Sequence, residues 1–367
     1  MTDIVYVDDQ SGFLDKNSLA GVVTRFDPLD DVDLEEAAKA AETAFLWVFD
    51  FFYGDEPRID IGDKNGPSVF ESWRGALRGN RPLSVVVSSH LEEALGPGPP
   101  HQLVRRTAVD WVASKDDFAE QQILRLSACS KAIAEMHDRK ATDPSTGNGI
   151  ITDAELLHLL SVGEETDWAQ SALRQIDQAR PPTLSTALSG RGFAREIMTW
   201  LTQQILPYPS FLIRLPHVAA RLRISLDALK DLLNEDSPLT AALKECEYAG
   251  PLAGFDDQMR WWRPGIDEIL LRLSETTTYD AGICKLAQRE VELLPFDEPV
   301  VVADADLQET EDIADAKDCV RAEDEYLPAH VDALWVRLSD ARKDAGLRAK
   351  VVFEDQPLLV QRTNDDH

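Results

Sequence analysis

The first 138 residues contain five short apolar runs separated by segments with a helical pattern, and this alternation restricts the fold more than any other feature of the sequence. Apolar runs of about four to eight residues between helices are typical of buried strands in a parallel sheet. We therefore predict a doubly wound α/β domain with a five-stranded parallel sheet. Its strands are expected at residues 4–7, 21–26, 45–50, 83–88 and 109–113.

Polar residues follow or end four of these runs. In parallel sheets of this kind, the ligand site lies at the carboxyl ends of the strands. If the runs belong to one sheet, carboxylates, hydroxyls and an ammonium group meet at one edge, and such a cluster suits a divalent cation and a phosphoryl group. The polar residues are Asp8, Asp9, Asp50, Ser88, Ser89 and Lys115.

The charge of the chain limits its partners. It has 66 acidic and 37 basic residues and a net charge of −29, so its surface as a whole repels nucleic acids and anionic membranes. No apolar run approaches the roughly 18 residues of a membrane span, and we expect no signal peptide. The four cysteines are widely separated, without metal-binding spacing, which favours reduced thiols and a cytoplasmic location.

The remaining chain divides by composition. Residues 139–152 are rich in Gly, Pro, Ser, Thr and Asn and predict a linker after the domain of residues 1–138. Residues 153–295 have a mainly helical pattern. The last segment, 296–367, is expected to form an acidic loop and a small α/β element. Ten acidic residues within 304–325 predict that this part is a solvated loop.

One stretch of the helical region, residues 215–233, resembles a helix-turn-helix. Residues 222–224 would form the turn, and Ser225 would cap the second helix. Asp227 and Asp231 in that second helix are unfavourable next to a phosphate backbone, so we favour packing or protein contact over DNA binding. The only basic cluster nearby, and thus the candidate nucleic-acid contact, consists of Arg214, Arg221 and Arg223.

A second dense motif is Met-Arg-Trp-Trp-Arg-Pro at residues 259–264. Tryptophan and arginine are enriched at binding hot spots, so the motif could form an interaction surface. We favour the alternative, in which both rings close the helical core. His137, His158 and His217 are isolated from one another in the sequence, and we assign no catalytic role to them.

Taken in order, the motifs of the first 138 residues resemble the receiver domain of two-component response regulators. Residues 4–9 resemble its first strand with an acidic pair, and residues 45–50 resemble the strand that ends in the phosphoacceptor aspartate. Residues 65–78 resemble the helix that follows. Residues 82–90 resemble the strand with the switch hydroxyl, and residues 108–118 the strand before the lysine. The resemblance covers a little over a third of the chain.

The resemblance implies a function and a role for each residue. Asp50 would accept a phosphoryl group from a histidine kinase or a phosphotransfer protein. Lys115 would pair with the acyl phosphate, and Ser88 would bind it and act as the switch. The protein would then be a relay component rather than an enzyme. The implied ligands of Mg²⁺ are Asp8, Asp9, Asp50 and the backbone carbonyl of Phe52.

The sequence also departs from that family. The first helix, after Asp9, is short or irregular, and the loop 53–65 is long. Residues 91–106 replace a regular fourth helix, and Asp116 follows Lys115 where the family commonly has proline. Because the output is therefore open, three alternatives stand. The protein could be a phosphate sink or a subunit of a signalling or phage-defence relay that docks to other receiver or effector subunits, a DNA-binding transcriptional regulator, or a scaffold with a degenerate receiver.

Overall fold

The structure is a computed structural model, and its described residues fall into two compact units. One unit combines Met1–Leu159 with Pro181–Pro207, and the other combines Leu160–Arg180 with Tyr208–His367. The described residues are 3–9, 22–28, 31–52, 66–77, 81–96, 98–115, 119–142, 152–163, 165–182, 188–274, 278–323 and 327–352.

The strands fall into three sheets. They are β1 (Ile4–Val7), β2 (Val23–Phe26), β3 (Leu46–Asp50), β4 (Leu83–Ser88), β5 (Trp111–Ser114), β6 (Leu212–Arg214), β7 (Arg260–Trp262), β8 (Pro299–Ala303), β9 (Glu309–Asp315), β10 (Cys319–Ala322) and β11 (Leu334–Arg337).

Helices connect and cover these sheets. They are α1 (Asp31–Ala41), α2 (Gly66–Leu77), α3 (Leu91–Leu95), α4 (Pro100–Leu103), α5 (Ala119–Thr142), α6 (Asp153–Leu159), α7 (Ala169–Gln178), α8 (Gly190–Trp200), α9 (Leu215–Arg221), α10 (Leu226–Leu232), α11 (Pro238–Glu245), α12 (Arg263–Ser274), α13 (Tyr279–Ala287), α14 (Leu338–Lys343) and α15 (Ala345–Ala349).

The first unit is built on a parallel sheet with the strand order β2-β1-β3-β4-β5. This is the flavodoxin-like order, so the predicted fold class is confirmed. Every residue of β1, β3 and β4 is buried, which explains why these strands are almost uninterrupted apolar runs in the sequence. On one side of the sheet, Trp47 and Phe49 of β3 pack edge-on against Phe70 and Trp73 of α2.

The segment between β4 and β5 is irregular, as the sequence predicts. It consists of the two short helices α3 and α4 and a 3-10 turn at Val104–Arg106. The predicted short first helix and the long loop 53–65 lie outside the described residues. So does most of the predicted linker, because residues 139–142 still belong to α5 and residues 143–151 are not described.

The first unit extends beyond the domain boundary that the sequence predicts at residue 138. Helix α8 packs along α5, and its first amide, Gly190 N, donates to Asp138 Oδ1 at 3.0 Å. A Cβ atom at Gly190 would lie 2.5 Å from the carbonyl oxygen of Ala134, so the close approach of the two helices requires glycine. Phe193 of α8 also stacks on His137, with 4.8 Å between ring centroids. A helix from beyond the predicted linker is therefore part of this compact unit.

The second unit is helical but contains more strand than the sequence predicts. Strands β6 and β7 form an antiparallel pair, and four strands form a sheet with the order β10-β11-β8-β9. The expectation of a solvated loop over residues 304–325 was wrong, because β9 and β10 lie within it. An acid-rich segment can form a strand when its inward carboxylates have cationic partners, and Glu309 in β9 accepts hydrogen bonds from Arg214 and His217.

Two further predictions concern this unit. The hydroxyl of Ser225 accepts from Ala228 N at 3.3 Å and caps α10, as predicted for the helix-turn-helix segment. Trp261 and Trp262 of β7 are both about 1% exposed, and Trp262 stacks on Phe211. The interpretation of the tryptophan pair as core is therefore confirmed. Among the helices that the structure describes, none combines the length and apolarity needed to cross a lipid bilayer.

Candidate functional site

The candidate site lies where β1 and β3 end side by side. Strand β1 pairs in parallel with β3, and Val7 aligns with Phe49. Asp8 and Asp50 each come one residue later, so the register brings both carboxylates to the same edge. In the order β2-β1-β3-β4-β5, this edge between β1 and β3 is the point at which the connections change direction. Flavodoxin-like folds bind their ligands at that switch point.

Lys115 joins the two carboxylates. Its Nζ donates to Asp8 Oδ2 and to Asp50 Oδ2, at 2.7 Å in each case. The side chain of Lys115 is only 11% exposed, and Asp8 is fully buried. The backbone fixes the position of the lysine, because Lys115 N donates to the carbonyl oxygen of Ser88 at 3.0 Å and so extends the pairing of β5 with β4. The structure therefore brings together Asp8, Asp50 and Lys115, as the sequence predicts.

One member of this cluster, Tyr6, was not predicted from the sequence. The hydroxyl of Tyr6, a fully buried residue of β1, donates to Asp8 Oδ2. Residues two apart on a strand lie on the same face, and this spacing between Tyr6 and Asp8 is the signal that could have revealed the contact. A tyrosine in an apolar strand is otherwise indistinguishable from a core aromatic residue.

The electrostatics of the cluster are those of an incompletely neutralised acidic site. Burial, with a smaller contribution from the nearby Asp8 carboxylate, raises the pKa of Asp50 to about 6 against the lowering effect of the Lys115 ammonium. Burial alone would lower the pKa of Lys115. Its hydrogen bonds and charge attraction to Asp50 and Asp8 outweigh burial, so the pKa of Lys115 rises and the ammonium stays charged.

The residues at this edge fit a divalent cation. Asp8, Asp9 and Asp50 each present a carboxylate oxygen, and these oxygens lie within 4.8 Å of one another. When all are ionised, three carboxylates and the Lys115 ammonium leave a charge of −2. Hard oxygen ligands and a compensating double charge are what Mg²⁺ requires. Phe52 lies two residues after Asp50 in the chain, and the role of its backbone carbonyl as a ligand stays a prediction.

The start of α2 closes against this edge of the sheet. A Cβ atom at Gly66 would lie 1.9 Å from the carbonyl oxygen of Asp50, so only glycine permits this approach. Gly66 N also points toward the carbonyl oxygen of Phe51 at 3.4 Å. The leading glycine of the segment 65–78 therefore has a structural reason: it lets the helix begin directly behind the residue that ends β3.

Ser88 lies at the same edge, because it ends β4, the neighbour of β3. It is 1% exposed, and its hydroxyl oxygen accepts from His90 N at 3.0 Å. Since the hydroxyl is the acceptor in that bond, its own proton is available to a ligand oxygen. The adjacent Ser89 is exposed. Of the two serines, Ser88 is therefore the one that belongs to the buried edge.

The three arginines of the helix-turn-helix segment, which the sequence suggests as nucleic-acid contacts, make contacts inside the second unit. Each arginine has an acceptor within the second unit, so the structure does not gather the three side chains into one unpaired basic surface. The contacts are Arg214 Nη2 to Glu309 Oε2 at 2.8 Å, Arg221 Nη1 to Asp267 Oδ1 at 2.5 Å, and Arg223 Nη2 to the carbonyl oxygen of Phe296 at 2.7 Å.

The fold and the site together define a flavodoxin-like α/β protein with a carboxylate–lysine cluster at its topological switch point. A scan of the sequence against models of known protein families gave no match, and a search of curated protein sequences also found none.

Proposed function

We propose that the first unit accepts a phosphoryl group on Asp50 and works as a receiver-like component of a two-component-type relay, with Mg²⁺ as its cofactor. The observation that supports this function best is the contact of one ammonium group, Lys115 Nζ, with both Asp8 and Asp50 at 2.7 Å. A lysine in this position can compensate charge on a phosphoryl group attached to Asp50 while Asp8 and Asp9 remain available to a cation.

The chemistry requires a nucleophile, charge compensation and a donor. A carboxylate oxygen of Asp50 attacks phosphorus, a new P–O bond forms, and the bond from phosphorus to the leaving group of the donor breaks. Bound Mg²⁺ supplies charge neutralisation for the phosphoryl oxygens. Lys115 pairs with an oxygen of the acyl phosphate. The Ser88 hydroxyl donates to another phosphoryl oxygen, and its movement toward that oxygen changes the surface around β4.

The proposed donor is a cytoplasmic histidine kinase or a phosphotransfer protein. The same chemistry is compatible with a phosphate sink or with a docking subunit of a signalling or phage-defence relay, in which other receiver or effector subunits are the partners. The net charge of −29 favours these relay functions with protein partners over DNA binding. So do the intramolecular acceptors of Arg214, Arg221 and Arg223.

Phosphate-affinity electrophoresis after incubation with acetyl phosphate and Mg²⁺ tests the proposal. We expect a shifted band for the wild type and none for Asp50→Asn. The matched control is Asp153→Asn, which changes an exposed aspartate in the first turn of α6 and leaves the band shift intact. An equal shift in the wild type and Asp50→Asn would contradict the assignment of the acceptor.

A further inference from the structure

The second unit contains a cavity that the proposed phosphoryl chemistry does not use. Its volume is about 210 Å³, and all of its walls come from this unit. They include β6, α9, the start of α12, strands β8 and β9, and the start of β11 with the residues that precede it. Much of the lining is buried and apolar, including Ile213, Val301 and Leu334. The indole of Trp335 forms part of the wall. A ligand body in this space would be apolar.

Two guanidinium groups face the same cavity, those of Arg221 and Arg263. Both are oriented toward a single carboxylate: Arg221 Nη1 lies 2.5 Å from Asp267 Oδ1, and Arg263 Nε lies 4.0 Å from Asp267 Oδ2. The longer distance is beyond a hydrogen bond, and Arg263 Nε is buried without an acceptor among the described residues. One carboxylate thus compensates two cations.

The charge of Arg263 adds to the cost of burying the Arg221 guanidinium. Burial lowers the pKa of the Arg221 guanidinium, the Arg263 charge lowers it further, and Asp267 only partly opposes them. An added anion would relieve this repulsion and supply the acceptor that Arg263 Nε lacks. Arginine binds carboxylates particularly well because its planar fork matches their two oxygens.

The other charged residues of the cavity limit the charge of the ligand. Glu309 makes an ion pair with Arg214 and a hydrogen bond with His217. Asp332 lines the cavity and is exposed, and its charge opposes a second negative charge on a ligand. A single negative charge therefore suits the cavity better than the multiple charge of a phosphate group.

From these observations we infer that the cavity is a binding site for a small organic monocarboxylate with an apolar body, whose carboxylate contacts Arg263 and Arg221. The size agrees with this class: an apolar cavity of about 150 Å³ holds one benzene molecule, so 210 Å³ accommodates an aromatic ring with a carboxylate attached. The site would give the second unit the ability to sense a small metabolite, independently of Asp50.

Ligand-observed NMR with benzoate as the probe and the full chain as the receptor tests this inference. We expect benzoate to bind the wild type, and benzamide, its uncharged counterpart, to bind at least about tenfold more weakly, because a hydrogen bond to a charged group is lost. Arg263→Gln should weaken benzoate binding by a similar factor. The matched control, Arg174→Gln, removes an exposed arginine of α7 and should leave the affinity unchanged.

Four outcomes would overturn the inference. They are no binding of benzoate at millimolar concentration, equal affinity for benzoate and benzamide, equal affinity of the wild type and Arg263→Gln, and tighter binding of inorganic phosphate than of benzoate. The comparison of benzoate with benzamide uses only the wild type, so it decides the question even if Arg263→Gln does not fold. A thermal unfolding curve of each variant verifies that it is folded.

Discussion

The two edges of the parallel sheet in the first unit each carry a cluster of charged side chains. The two clusters differ in how many partners their carboxylates have. At the carboxyl ends of the strands, Asp8 and Asp50 share the ammonium of Lys115, and a carboxylate oxygen of Asp9 lies within 4.8 Å of theirs. At the amino ends, Asp110 precedes β5 and Arg81 precedes β4, and these two side chains form a paired contact in which Arg81 Nη2 donates to Asp110 Oδ1 at 3.0 Å. Asp8 and Asp50 at one edge and Arg81 and Asp110 at the other are all buried, so burial alone does not distinguish the two clusters.

The difference lies in how completely the charges are satisfied. Asp110 Oδ2 accepts from Arg81, from Ser84 N at 2.9 Å and from Ser84 Oγ at 2.7 Å, and Arg195 adds a second cation 3.6 Å from Oδ1. Gln203 Nε2 donates to the backbone carbonyl of Asp110 at 2.9 Å. The carboxylate of Asp110 is therefore saturated with donors, whereas the carboxyl-terminal cluster keeps an excess of negative charge that a cation can compensate.

The largest expected effect comes from removing the carboxylate of the amino-terminal cluster, that of Asp110. Asp110→Asn leaves the buried Arg81 guanidinium without its counter-ion, and we expect the free energy of unfolding to fall by about 3–5 kcal/mol. Urea unfolding measures this loss. The matched change at the other edge, Asp50→Asn, should cause no loss in metal-free buffer, because it relieves repulsion between carboxylates. Equal destabilisation by the two substitutions would remove the distinction between the clusters.

A smaller effect is expected at Lys115. Lys115→Met leaves Asp8 and Asp50 without their ammonium partner, and we expect a loss of about 1–3 kcal/mol in the free energy of unfolding. Added Mg²⁺ should restore part of it, since a cation can take over the compensation. Lys131→Met serves as the control, because Lys131 pairs with Asp3 in a more exposed ion pair that contributes little to stability. A loss at Lys115 that Mg²⁺ does not reduce would contradict the cation site.

The cation itself should stabilise the wild type. At a Mg²⁺ concentration ten times the Kd, linkage predicts an increase of about 1.4 kcal/mol in the free energy of unfolding. Asp9→Asn removes one proposed ligand and should shift the effect to higher Mg²⁺ concentrations, while Asp153→Asn should not. Thermal unfolding across a magnesium titration provides the measurement. An unchanged response in Asp9→Asn would exclude Asp9 from the site.

The sequence predicts the carboxyl-terminal cluster but not the amino-terminal one. The apolar runs predict the strands, and the polar residues that end them predict the edge where Asp8, Asp50 and Lys115 meet. The pairing of Arg81 with Asp110 was not predictable in the same way, because the two residues lie in different segments and no local pattern pairs them. Likewise, nothing local indicates that α8 packs on α5 or that the acidic segment of β9 finds cationic partners.

The smallest expected effect concerns Glu309 in the second unit, whose carboxylate, like that of Asp110, already has hydrogen-bond donors. Burial raises the pKa of Glu309, but His217 and Arg214 outweigh it and hold that pKa below its usual range. A carboxyl group of this kind stabilises the fold above its unfolded pKa of about 4.3 and loses that contribution as the pH falls through its lower folded pKa. We expect the acid-induced loss of stability in urea unfolding to be smaller for Glu309→Gln than for the wild type. An identical pH dependence would contradict the pairing.

The central claim is that Asp50, at the carboxyl ends of the strands, accepts a phosphoryl group. The most direct measurement is the intact mass of the full chain after incubation with acetyl phosphate, with Mg²⁺ or with EDTA, and before and after hydroxylamine, which cleaves acyl phosphates. The account predicts one added phosphoryl group in the wild type that requires Mg²⁺, is removed by hydroxylamine and is absent from Asp50→Asn. An added group that persists in Asp50→Asn, or no added group in the wild type, would contradict it.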